Sequence, residues 1–108
     1  MPTHQEIDAR ALAMHRLVAQ KIRQNPALFD KAKATLARWR TMVSVSSQPY
    51  LQEWEILMHQ GVEACLAMAV EDSERAAALR QSSPFAGLLT HQDRFTFLKT
   101  WRLDHAAP

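Results

Sequence analysis

The sequence predicts an all-α fold, a compact single-domain bundle of five to six short helices. Apolar residues recur at spacings of three and four along most of its length, the period of helices buried on one face. Only two glycines occur in 108 residues, and no convincing strand pattern or internal repeat interrupts the helical reading. The connections are short, which favours antiparallel neighbours.

Thr3-His4-Gln5-Glu6 has the spacing of a capping box, in which hydroxyl and carboxylate each satisfy an orphan amide at a helix start. From there Ile7, Ala11, Met14, Val18 and Ile22 form one stripe along the first helix. Asn25-Pro26 ends it and opens a second helix, with Asn as N-cap and Pro at the first helical position. That helix is expected to bury Leu28, Phe29, Ala32, Leu36 and Trp39. The β-branched, serine-rich stretch from Thr41 to Gln48 reads as the longest linker, and Pro49 opens the third helix. Tyr50, Leu51, Trp54, Leu57 and Met58 fall on one side of that helix, and Gly61 is a natural left-handed stop. VEACLAMAV, residues 62–70, is apolar almost all round and is expected to be the most buried helix. Asp72 or Ser73 caps a short helix to about Gln81, and Thr90 caps a last helix carrying Phe95, Phe97, Leu98 and Trp101. The chain is expected to fray over about 1–3 and 104–108.

Composition excludes several classes. The apolar share of 47% and net charge of +2 argue against disorder as the dominant state. Cys65 is the only cysteine, so no intramolecular disulfide forms, and a reducing, cytoplasmic setting is expected. The polar N-terminus is not read as a targeting peptide, and no apolar run approaches the roughly 18 residues of a membrane span. The charge is segregated. Residues 1–40 carry eight bases against three acids, residues 41–74 six acids and no base, residues 75–108 five bases against two acids. Basic helices packed beside acidic ones would cancel these fields; otherwise a basic face is left for an acidic partner or nucleic acid.

Motifs of catalysis are not found. Gly61 and Gly87 cannot make a phosphate cradle. The five histidines lie in separate segments with no i, i+4 pair, so isolated exposed histidines are expected; only His15, His59 and Glu55 could converge across helices. Cys65, in the acidic segment, reads as a core residue rather than a nucleophile. Glu53 and Glu55, two apart, face different ways. No nucleophile–base–orienter pattern can be read locally, although one assembled in space stays open. The chain is therefore expected to be no enzyme and to need no cofactor or metal. Trp39, Trp54 and Trp101 all fall at stripe positions and read as core. Ile56 and Phe97 point away from the stripes of their helices and are candidates for a second packing layer or a protein interface.

The stretch RQSSPFAGLLTHQDR, residues 80–94, departs from this helical habit. Ser83 before Pro84 is pushed out of helical geometry, Gly87 permits a positive φ, and Leu88 and Leu89 can fold back onto the core. It is a helix corner first and a docking loop second, with Phe85 either anchored inside or offered outside.

A resemblance runs through roughly residues 11–102. The order ALAMHRLVAQKIRQNP, then a helix ending ARWR, then YLQEWEILM, then LRQSSPFAGLLTHQDRF resembles small helical bacterial proteins encoded beside toxin or nucleotidyltransferase-like genes. The resemblance implies an antitoxin-like module that binds and occludes a partner protein, such as a toxin encoded nearby, with Arg80, Ser83, Phe85, Gly87 and Arg94 carrying the motif. The commonest antitoxin plan adds a disordered wrapping tail, which this chain is expected to lack, so a preformed surface including Ile56 and Phe97 would have to serve. Self-association is also possible. The alternative is a small DNA- or RNA-binding regulator using Arg16, Arg23, Lys33 and Arg40 on the first two helices, although the Asn25-Pro26 corner lacks a helix-turn-helix glycine.

Overall fold

The computed structural model describes residues 3–42 and 44–105, and in them the chain is an all-α bundle of six helices with no strand. α1 runs His4–Gln24, α2 Ala27–Met42, α3 Gln48–Gln60, α4 Val62–Ala69, α5 Glu74–Arg80 and α6 His91–Asp104. A 3₁₀ turn at Val45–Ser47 joins α2 to α3. The molecule measures 44 × 31 × 23 Å.

The helix starts follow local chemistry. Thr3 and Glu6 form the reciprocal capping box at α1, Ser73 Oγ accepts the Ala76 amide at α5, and Thr90 Oγ1 accepts the Asp93 amide at α6. At the first corner the backbone of Asn25 serves both helices. Its N–H donates to the Lys21 carbonyl at 2.9 Å and its carbonyl accepts from Leu28 at 3.0 Å. The linker is shorter than its composition suggests, because α2 continues to Met42 and α3 already begins at Gln48.

The core is a single cluster, with Val18, Ala19 and Ile22 from α1, Leu51, Trp54 and Leu57 from α3, Cys65 and Leu66 from α4, and Phe85 from the corner at its centre. α2 adds Ala32 and Leu36, while Leu28, Phe29 and Trp39 are only partly buried around it. α3 lies against α2, α4 and α5, and α1 lies against the same three helices. α4 buries one face only, Cys65, Leu66 and Ala69, and leaves Ala67 exposed.

Two stripes do not end where their periodicity does. α1 buries its middle and C-terminal half, but Ile7 stays 42% exposed in the groove that the first turns of α1 share with α6. Tyr50, on the expected stripe of α3, is likewise 42% exposed.

Candidate protein-interaction surface

The corner after α5 is anchored from three sides. Ser83, forced out of the helix by Pro84, places its Oγ 2.8 Å from His15 Nε2. His15 Nδ1 lies 2.7 Å from the Ala11 carbonyl, which can only accept, so Nδ1 carries the proton and Nε2 accepts from the Ser83 hydroxyl. The Phe85 amide donates to the same Ser83 Oγ at 3.0 Å. Every polar atom of this small network is thereby used. Burial lowers the His15 pKa, opposed by the Ala11 hydrogen bond and aided by the Arg80 charge, so the ring is held neutral.

Phe85 is fully buried between Phe29, stacked at 6.3 Å, and Trp54, edge-on at 5.4 Å. The Trp54 indole N–H donates to the Leu79 carbonyl at 2.9 Å, which ties α3 to α5. Arg80 is buried as well. Its Nη1 donates to the carbonyls of Ala69 and Glu71, at 3.1 and 2.8 Å, closing the end of α4. Arg80, Ser83 and Phe85 thus face inward, and the docking-loop alternative fails for these three because their side chains are occupied inside the fold. Gly87 is exposed, but its φ is not positive; Gly61, at φ 120°, is the one glycine whose backbone needs that freedom.

The histidine expectation also needs correcting for His15, which is 2% exposed and far from isolated. His59 and Glu55 share a groove with Lys33 and Met58, so the three possible ligands do not converge. Cys65 is buried, and burial pushes its thiol up to about 12. The Ser83–His15 pair has the donor direction of a nucleophile and its base. Yet both residues are almost wholly buried, and the serine oxygen already accepts an amide.

The segregated charges meet across the helices. Arg23 pairs with Glu63 at 3.6 Å, Arg40 with Glu55 at 3.6 Å, Lys21 with Asp93 at 3.4 Å and Arg75 with Glu53 at 3.0 Å. Arg40 also donates to the carbonyl and the side-chain oxygen of Gln48, which makes it a strap between α2 and α3. Lys33 has Asp30 at 3.7 Å and lies over the Phe29 ring. Of the four bases suggested for nucleic acid, Arg23, Lys33 and Arg40 each have an acid within 3.7 Å, and Arg16 has no ion-pair partner among the described residues.

The exposed large apolar residues are Phe95 and Leu103 on α6, Tyr50 and Ile56 on α3, Ile7 on α1 and Met42 on α2, and α6 is the one long helix among the described residues that buries no side chain fully. It runs antiparallel to α1, with Asp93 near Lys21 and Arg94 4.0 Å from the Met14 sulfur, while its far end reaches Ile7 and Arg10. None of its side chains is fully buried. Phe95 is 68% and Leu103 71% exposed. Phe97 is half-buried and stacks on Trp101 at 6.2 Å, and the His105 ring stacks on Trp101 at 3.6 Å. A groove of about 580 Å³ opens between the first turns of α1 and the last turns of α6. Ile56, 48% exposed, lies in a separate groove between α3 and α5 beside Tyr50 and the Glu53–Arg75 pair. The structure therefore does not join Ile56 to Phe97 and Arg94.

Sequence reasoning missed the His15–Ser83 link, whose partners are 68 positions apart with no local signal. It also missed the open face of α6, although the even spread of apolar residues round 91–104 was its trace. No helix among the described residues is long and apolar enough to cross a membrane. No protein-family model matches the chain, no curated protein matches it, and no solved structure matches it.

Proposed function

We propose that this chain is a non-catalytic, cytoplasmic protein-interaction module, antitoxin-like in that it binds a partner protein and occludes it. The single observation that carries the reading is α6, a 14-residue helix with two phenylalanines, two leucines and a tryptophan and no fully buried side chain. Single exposed apolar residues are ordinary; a whole helix whose apolar residues stay half open is a surface awaiting a cover. A helix this short is marginal alone in water, so burying its open face on a partner stabilises both helix and complex. Arg94, Phe95, Phe97 and Leu103 are the residues that would contribute, with Ile56 on a secondary surface.

The test is capture of the tagged chain from its native host at moderate salt, with a Phe95→Ser/Leu103→Ser variant alongside. The reading predicts one protein recovered in fixed stoichiometry, resistant to nuclease and lost with the variant. Nucleic acid recovered without a dominant protein, or a partner retained by the variant, would contradict it. The nucleic-acid alternative has no specific observation in its favour.

A further inference from the structure

The groove between α1 and α6 has a floor and two walls of different chemistry. Ile7, Leu98 and Trp101 make the floor, all at least partly exposed, and His105 braces Trp101 by stacking on it. Arg10 rises from the α1 wall and Arg102 from the α6 wall. Neither makes an ion pair among the described residues, a state they share with Arg16, Lys31, Arg38, Arg94 and Lys99; what sets them apart is that both line one apolar groove. The one carboxylate lining the groove, Glu6, is turned back to accept the Thr3 amide at 3.0 Å. An apolar lining and two arginines against a single carboxylate therefore coincide.

From this charge pattern we infer that the groove receives an acidic amphipathic helix of the partner protein. The inference rests on the interaction reading above and specifies the element the partner supplies. Two antiparallel helices side by side present a trough, and a third helix laid in it completes a packed layer. The α6 side spans about two turns, roughly 10 Å, and the α1 side about one, roughly 6 Å, which accommodates apolar anchors at i and i+3 or i+4. One arginine stands on each wall, so the docked helix carries Asp or Glu on both flanks of its apolar stripe. Arginine pairs with carboxylates in a planar, two-pronged geometry, and partial burial under the helix strengthens that pairing.

The probe is a fluorescein-labelled 14-residue helical peptide with a leucine stripe flanked on both sides by glutamate. A second peptide has lysine in place of every glutamate, and phosphatidylserine vesicles serve as competitor. Arg10→Glu and Arg102→Glu alter exposed side chains, and circular dichroism checks that the fold persists. The expected result is that the wild-type chain prefers the glutamate peptide, loses about tenfold with each reversal, and in the double variant prefers the lysine peptide. Equal binding of the two peptides, a preference that does not invert, or displacement by vesicles would overturn the inference. The native-partner capture separates the two levels. A partner lost with Phe95→Ser/Leu103→Ser but retained by Arg10→Glu/Arg102→Glu overturns the acidic-helix inference and leaves the interaction reading standing. No partner in any capture fails the reading itself, whatever the peptides do.

Discussion

His15 makes the stability of this fold answerable to pH through one residue. Burial lowers its pKa from the ordinary value of 6.5, so as pH falls the unfolded chain takes up the proton first. The contribution is present above that ordinary value and is lost as pH falls through it towards the lowered folded value. Denaturant midpoints measured between pH about 8 and 5 should therefore decline on acidification, and His15→Gln should flatten the curve. An unchanged slope in that variant would assign the dependence elsewhere. Ser83→Ala leaves both the His15 ring nitrogen and the Phe85 amide without their buried partner and should cost about 1–3 kcal/mol. Phe85→Ala removes the shared member of two aromatic contacts and should cost about 3–5 kcal/mol in the same unfolding experiment. A Phe85→Ala loss below about 1 kcal/mol would mean that the corner is not anchored inside.

Among the elements, the two glycines separate a required conformation from an incidental one. Gly61 joins α3 to α4 at φ 120°, and Gly61→Ala should cost about 1–2 kcal/mol although a Cβ there meets nothing within 4 Å. Gly87 has no positive φ and open space around it, so Gly87→Ala should be neutral or stabilise by about 0.5 kcal/mol. Thermal unfolding of the pair distinguishes them directly. Most elements were legible in the sequence because their signals are local. The Thr3–Glu6 box, the Ser73 and Thr90 caps and the i, i+3, i+4 stripe of α3 depend on residues within a turn or two of one another. What was not legible depends on where an element ends up. Phe95 and Ile7 satisfy a helical period, but whether a period is covered is decided by which helices pack on that face, and neither residue is covered here. The His15–Ser83 bond was invisible for the same reason, since nothing near either residue marks the other.

For the molecule as a whole, charge cancels only in part: five of the thirteen Lys and Arg residues have an acid partner among the described residues. The basic first third and the acidic middle of the chain pair off across α1–α4 and α2–α3, and these exposed pairs each contribute at most about 1 kcal/mol. Raising salt should accordingly move the free protein's stability little, while weakening a complex held by Arg10 and Arg102. The bundle is closed around Trp54 and Phe85, and open along α6. Amide hydrogen exchange on the free chain and on its complex with the captured partner tests that division most directly. The account predicts that residues 4–10 and 91–105 exchange fast in the free chain and become protected in the complex, with α3–α5 unchanged. Protection confined to α2 or to the α3–α5 groove, with α6 still exchanging freely, would contradict it.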